Sequence, residues 1–447
     1  MDNQITKKNY LKYILAIALP VSIQSLFQSS LSVIDQIMVG SLGETSISAV
    51  GLGGKYPSVF FFTLASISVG AAILISQFRG KSDKINVSKA FTLCIKWGLM
   101  LTSIFFIVAF FFSTSIMSIY TFDSSVISIG SQYLKILTIG FFPGFLTIML
   151  STLLRNTGKA KQPMVASIVS VIINTLLNYI LIFGHLGLPA LGVAGAAIAT
   201  TITRFIEFFV VLFFFIVHQA KDEYKINFKI RSEFAFMKTA FLIILPLFLS
   251  EFLWSVGENV YSIIYGHIGT SEMAAMTLIT PVVMLSIGLF FGIYQSTSIL
   301  VGNQLGKKDY DMAYFLGKKS MKIGLVGTTI IGLFVISFSK LYPQLFLVSD
   351  STKQTTTLLL IAFAVVLWIK VSNMVLGGIL KSGGKTKYVF YMDLLGTWFI
   401  GVPLGLIASS VFRFPIVLVY LIIAFEELVR LIIGLKLFKS KIWIQSI

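Results

Sequence analysis

Cysteine, histidine and acidic residues are the scarcest chemistry in this chain. A single cysteine, Cys94, in 447 residues excludes an internal disulfide and gives no thiolate metal centre. The three histidines, His185, His218 and His267, are scattered singly and read as loop or helix-end residues, not as ligands. Charged residues make up 12% of the chain, where a soluble domain has about 25%, so a soluble globular fold is excluded. Asp and Glu number 18 against 35 Lys and Arg, a net charge of +17. That excess invites a nucleic-acid reading. The basic residues fall in short clusters between apolar runs, however, and not along one soluble face, so no nucleic-acid partner is expected. Enzyme signatures are also missing: there is no Walker A loop, HExxH, GxSxG or CxxC. The glycines of GLGGK at 51–55 sit in an apolar run without the strand that a phosphate loop needs. No enzyme activity and no cofactor are expected, and uphill transport without an ATP site would have to draw on an ion gradient. No cleavable signal is expected either, because the first apolar segment is too long, contains Asp35 and lacks a small-residue cleavage site.

What is abundant is apolar length. Hydrophobic residues are 56% of the chain. Runs long enough to span a bilayer fall at 10–39, 47–77, 88–113, 125–153, 163–184 and 190–218, then at 234–266, 273–303, 314–340, 354–380, 388–410 and 414–437. The expected fold is an all-α polytopic membrane protein of about twelve transmembrane helices. The halves are an N-lobe, 1–218, and a C-lobe, 234–447, joined by the polar linker 219–233. Counted by gap, about 27 Lys and Arg lie on the side of the N-terminus and the linker and about three on the other, which puts both termini in the cytoplasm by the positive-inside rule. The plasma (inner) membrane is the expected location, the lipid bilayer the expected surrounding, and a monomer the expected state.

The two halves repeat. Pro20 pairs with Pro246, Ser29 with Ser255 and Ala49 with Ala275, all at a shift of 226. The same shift aligns QFRGKSD, containing Gly80, with NQLGKKD, containing Gly306. It also aligns LLRNTGKAK with ILKSGGKTK, and Arg204 with Arg430. A constant shift over most of each half marks an internal duplication. Six helices per half is an even number, so the repeats enter the membrane in the same sense and are expected to be related by an axis near the membrane normal, a pseudo-twofold parallel repeat. The charge is not repeated: the counterpart of Asp35 is Tyr261, and Glu251 stands opposite Ser25.

Ionisable and amide groups inside apolar runs are functional candidates, because they are costly in lipid and face a bundle interior or a water-filled cavity. Gln28 and Asp35 lie two turns apart on one helix face. Asn174 and Asn178 are four apart on the fifth run, either as glue between helices or as oxygen ligands and hydrogen-bond partners for Asp35. Thr200 and Thr201 offer hydroxyls after the small-residue stretch at 191–199, where Gly195 and its alanines read as packing. In the second half Glu251 and Lys370 are a candidate buried pair, and Glu426 with Arg430 is an i,i+4 pair read as structural.

The stretches LPVSIQSLFQSSLSVIDQIMVGSLG, LRNTGKAKQP, NTLLNYILIFG, LGVAGAAIATTITR and LPLFLSEFLWS resemble, in order and over essentially the whole chain, the bacterial MATE (multidrug and toxic compound extrusion) transporters. The resemblance implies two six-helix lobes and export of organic, often cationic or amphiphilic, compounds in exchange for H⁺ or Na⁺. It implies that Asp35 is the N-lobe coupling carboxylate, with Gln28 its neighbour and Asn174 the fifth-helix Asn. A Na⁺ site at Asp35, Asn174 and Asn178 is one implied reading. Asn178 stands where some members carry Asp, which removes one carboxylate. Thr200 matches a sixth-helix hydroxyl, and Glu251 resembles the seventh-helix Glu of the NorM-like branch, implicated there in a C-lobe cation site. Lys370 stands in the region of that branch's tenth-helix Asp. Two alternatives stay open at this point. One is a flippase for a lipid-linked saccharide, which would favour a cationic cavity and draws on Arg204, Lys370 and Arg430. The other is a membrane-embedded transferase, which the scattered histidines disfavour.

Overall fold

The computed structural model describes residues 5–42, 44–221, 226–228, 230, 232–346 and 348–446, so parts of the expected linker, 222–225, 229 and 231, lie outside the described residues. The described chain is all α-helical. In the first half the helices are α1 (Tyr10–Gly40), α2 (Glu44–Gly53), α3 (Lys55–Gly80), α4 (Lys84–Phe111), α5 (Ser113–Tyr120), α6 (Ser124–Thr138), α7 (Phe141–Asn156), α8 (Lys161–Phe183) and α9 (Gly192–Lys221). The second half follows with α10 (Phe234–Ile268), α11 (Thr270–Gly306), α12 (Tyr310–Phe338), α13 (Asp350–Ser382), α14 (Thr386–Leu394), α15 (Val402–Leu406) and α16 (Ile416–Lys439). Two π-helical segments, Leu395–Gly401 and Ile407–Val411, flank α15 and join it to α14 in one long span.

Twelve spans were expected. Among the described residues, ten helices are long and apolar enough to cross a membrane, or eleven if α6 and α7, bent by 47° at their junction, count as one. The bend falls in the expected run 125–153, where Gly140 precedes α7 and Pro143 and Gly144 occupy its first turn. Proline is tolerated at a helix start and disruptive deeper in, so these residues restart a helix instead of continuing one. The remaining expected run, 414–437, is α16. Its 24 residues are long enough to cross, about 36 Å at 1.5 Å per residue, but it carries Glu426, Glu427 and Arg430 within its length, which lowers its apolarity.

The duplication is visible in the turns. Asp83 caps the N-terminus of α4 by accepting from the Asn86 amide, and Asp309, 226 residues later, caps α12 by accepting from Met312. The residue before each cap, Ser82 or Lys308, has a positive φ of about 60°. Asp123 caps α6 and Ser349 caps α13, again at the same shift. Gly158 and Gly384, in the repeated stretches LLRNTGKAK and ILKSGGKTK, both take the left-handed conformation, where a side chain would be strained. Each cap satisfies an amide that a helix end leaves without a partner, so the repeated polar residues fix where the repeated helices begin.

By packing, the chain divides into two compact units: Met1–Ser22, Ser76–Ser82 and Phe241–Ile447 form one, and Ile23–Ile75 with Asp83–Ala240 form the other. The core of the second is aromatic. Phe60 and Phe141 stack at 4.0 Å between centroids, and both are fully buried. Gly98 makes room for the Phe145 ring, since a Cβ there would lie 2.0 Å from Phe145 Cζ. The core of the first holds Phe363, Val375, Ile379 and a fully buried Trp443, whose ring stacks on Phe438 at 5.6 Å.

Candidate functional site

In the unit built from the first half, a chain of polar side chains runs between three helices. Asn178 Nδ2 on α8 donates to Asp35 Oδ1 on α1 at 2.6 Å and to Asn174 Oδ1 at 2.9 Å. Asn174 Nδ2 in turn donates to Thr203 Oγ1 on α9 at 3.4 Å, and Thr203 Oγ1 donates to the Ala199 carbonyl at 2.6 Å. Both asparagines are 1% exposed. Four-residue spacing puts them on one face of α8, so that a single face presents two amides to α1 and α9. What brings α9 close enough is Gly195. A Cβ at that position would lie 2.4 Å from the Leu181 carbonyl oxygen, so the small-residue stretch does the packing that the sequence suggested.

Both amide hydrogens of Asn178 are therefore committed, while its Oδ1 is buried with no hydrogen-bond partner among the described residues. An orphaned buried acceptor costs about 1–3 kcal/mol, which makes it a place where an incoming proton donor or cation gains. Asp35 itself forms no ion pair among the described residues. Val39, one turn further along α1 than Asp35, forms a buried cluster with Ile182 and Ala196, against which Met38, Leu42 and Tyr133 pack.

The other first-half candidates fall around this chain. Gln28 is exposed on α1, two turns before Asp35. Thr200 is half-buried one turn before Thr203, and the hydroxyl that reaches Asn174 belongs to Thr203. Thr201 donates to the Ile136 carbonyl at 3.1 Å. A second layer joins Arg204 to residues that the sequence reading did not single out, Gln24, Arg155 and Glu207. Arg155 Nη2 donates to Gln24 Oε1 at 2.7 Å, and Arg204 pairs at 3.4 Å with Glu207, which is 3% exposed. The Arg204 guanidinium also lies 5.0 Å from the centre of the Phe61 ring. Its signal was present in TRFIEFF, where Arg204 and Glu207 stand three apart inside an apolar run.

In the unit built mainly from the second half, the candidate pair Glu251–Lys370 is not made. Lys370 pairs with Glu427 on α16 at 3.2 Å, and Asn373 donates to Glu427 Oε2 and to its carbonyl at 2.7 Å each. Glu251 is held by Lys381 at 3.7 Å. The reason lies along α13. Lys370 and Lys381 are eleven residues apart, about 16 Å of helix, so the two lysines meet different carboxylates at different depths. The expected Glu426–Arg430 pair is present at 3.4 Å. Arg430 also reaches Asp393 at 3.6 Å and donates to Thr397 in the first π-helical segment. Tyr261, the repeat counterpart of Asp35, donates its hydroxyl to Glu426 Oε2 at 2.7 Å. Gly401 makes this possible, since a Cβ there would lie 2.0 Å from the Tyr261 hydroxyl. A π-helical segment beside a buried charge cluster is a frequent mark of a functional region.

Arg204, Lys370 and Arg430 could have lined a cationic cavity. Each is instead paired with a carboxylate, so the arrangement does not favour a flippase for a lipid-linked saccharide.

An all-helical chain of long apolar spans with buried polar side chains at their interfaces is the structure of a multi-pass membrane protein. The MatE family model matches residues 20–180 and 246–407, one match in each half, and the chain belongs to that family of multidrug and toxic compound extrusion transporters. It is 26% identical over 420 residues to "Uncharacterized transporter YisQ" of Bacillus subtilis, covering 92% of this chain and 90% of that one. To "Probable multidrug resistance protein NorM" of Photorhabdus laumondii it is 24% identical, covering 89% and 88%. The fold matches a solved structure described as "Crystal structure of MATE in complex with MaL6", with TM-score 0.89, 21% identity and 98% of each chain covered. A second match, with TM-score 0.89, 20% identity and the same coverage, is described as "Outward-facing conformation of a multidrug resistance MATE family transporter of the MOP superfamily".

Proposed function

We propose that this protein exports organic cations or amphiphilic compounds across the plasma membrane in exchange for a cation, by alternating access, with Asp35 as the coupling carboxylate. The observation that carries the proposal is an acid without an ion-pair partner among the described residues, set at the end of a buried hydrogen-bonded chain. A carboxylate so placed gains from a proton, a metal cation or a cationic substrate, and what neutralises it in one conformation sets the balance with the other. The names of the NorM relatives support a drug-like cargo. Both termini face the cytoplasm on this reading, and the functional unit is a monomer.

The coupling ion is H⁺. Na⁺ needs several converging oxygens, whereas here Asn178 turns its amide nitrogen toward Asp35 and the Asn174 oxygen is already engaged. A proton needs only the one carboxylate. Glu251, with Lys381, and Lys370, with Glu427, act as a structural frame for the second half.

The test is efflux of a fluorescent cationic dye from proteoliposomes under an imposed pH gradient or an imposed Na⁺ gradient. Efflux driven by the pH gradient and lost in Asp35→Asn is expected. Full gradient-driven efflux by Asp35→Asn would falsify the coupling role.

A further inference from the structure

The repeated stretches QFRGKSD and NQLGKKD end two helices, α3 and α11, and those ends meet within one compact unit. A Cβ on Gly80 would lie 2.1 Å from the Asn303 carbonyl oxygen and 2.9 Å from Gly306 Cα. A Cβ on Gly306 would lie 2.0 Å from the Gln77 carbonyl oxygen. These are the same contact seen from either side, because Gly306 is the repeat counterpart of Gly80 and Asn303 that of Gln77. A contact in which i meets j′ and j meets i′ is isologous, and it surrounds the axis that relates the copies. The two helices therefore cross backbone on backbone, on the pseudo-twofold axis of the duplication. One turn back, a Cβ on Gly302 would lie 2.9 Å from Ser76 Cβ, which extends the same crossing.

We propose that the Gly80–Gly306 crossing is the seal that closes the transport path at the end of the molecule bearing Arg79, Lys81, Lys307 and Lys308, and that it parts once in every transport cycle. The inference rests on the alternating-access reading given above. Both glycines are buried, and no solute passes between main chains in van der Waals contact. The seal is also latched by groups that water can replace. Fully buried Gln77 donates through Nε2 to the Ser382 carbonyl at the end of α13 at 2.6 Å, and lies 3.5 Å from the Gln445 carbonyl. Gln445 donates in turn to the Gly383 carbonyl at 3.0 Å, and Gly383 lies directly against the Trp443 carbonyl. Asn303 Oδ1 is buried here without a hydrogen-bond partner among the described residues. Parting the helices exchanges protein hydrogen bonds for water hydrogen bonds at small net cost, and gives the Asn303 oxygen a partner it lacks when closed. A seal of large apolar side chains would instead expose oily surface at every opening. The closed contact needs glycine at both positions for the same reason: any side chain there strikes a carbonyl oxygen of the other helix.

Two variants test it, both in a Cys94→Ala background so that introduced thiols report alone. In Ser76→Cys with Gly302→Cys, the Cβ atoms start 2.9 Å apart, closer than the 3.5–4.5 Å that a disulfide spans, so the bond forms once the helices relax apart by about 0.6 Å. Oxidation is expected to form the bond and stop dye efflux, with dye binding retained and efflux restored by reductant. A bond that forms without affecting efflux overturns the proposal, and so does failure of the bond to form. In Gly306→Leu the seal is wedged apart, so a membrane-impermeant maleimide added on the basic side is expected to label Ser76→Cys faster than in its Gly306 parent; equal labelling overturns the proposal. If the reduced double-cysteine protein moves no dye under either gradient, the exporter reading fails instead, while the labelling comparison still reports on the seal.

Discussion

Asn178 holds three neighbours in place with one amide. It donates to Asp35 and to Asn174, and through Asn174 it is tied to Thr203. Replacing it by leucine, of similar size, removes both donors and leaves two acceptors unpaired. The expected result is loss of most pH-driven dye efflux, together with a stability loss of about 1–3 kcal/mol, read as a lower melting temperature in detergent. If Asn178→Leu exports normally, the amide only fills space. The Asp35 candidate was legible because an acid inside an apolar run stands out against its neighbours, and Asn174 and Asn178 were legible from their four-residue spacing. Thr203 was not, since choosing it over Thr200 requires the rotation of α9 against α8. That rotation is set by the close approach at Gly195 and not by any property of the threonines.

At the scale of single helices, α13 and α16 carry the charge that the second half buries. Lys370 is a quarter exposed and Glu427 about an eighth, so their pair is only partly shielded from solvent. Lys370→Met leaves Glu427 with Asn373 alone, and removal of one partner from a buried pair costs about 3–5 kcal/mol. Partial exposure puts the expected loss at or below the lower end of that range. The double variant Lys370→Met with Glu427→Gln is expected to recover most of it, which a thermal melt of the purified protein will show. No recovery would mean that Lys370 stabilises through another group. Gly195→Ala tests the other close approach: its methyl would press on the Leu181 carbonyl, and overpacking of this kind costs about 1–3 kcal/mol. Helix existence was readable from apolar length alone, whereas the partner of each charge was not. Whether Lys370 or Lys381 meets Glu251 depends on depth along α13, and composition carries no such coordinate. The broken fourth span shows the same limit: Gly140 and Pro143 were in plain view, but a 47° bend is a property of how α6 and α7 pack.

For the molecule as a whole, the duplication was the most legible feature, and it reaches down to the turns. The constant shift of 226 locates paired caps at Asp83 and Asp309 and at Asp123 and Ser349, paired prolines inside α1 and α10, and the paired glycines at the α3–α11 crossing. The charge that departs from the repeat is equally informative, since Asp35 and Tyr261 occupy one repeat position with different chemistry. Orientation belongs at this scale too. Single cysteines at Lys159 and at Arg413, placed in the Cys94→Ala background, are expected to label with an impermeant reagent from opposite sides of right-side-out vesicles, Arg413→Cys from outside and Lys159→Cys only after permeabilisation. Labelling of both from one side would contradict the positive-inside assignment.

The packing units are interleaved along the chain, because residues up to Ser22 and the stretch Ser76–Ser82 belong with Phe241–Ile447. Translation therefore delivers two pieces of one unit long before the rest of it exists. The early pieces must wait in the bilayer, with the Gly80 end of α3 uncovered until α11 is made. A fragment ending after the first half, with one face of that crossing uncovered, is expected to be degraded faster than the full-length protein, and pulse-chase labelling of the two would show it.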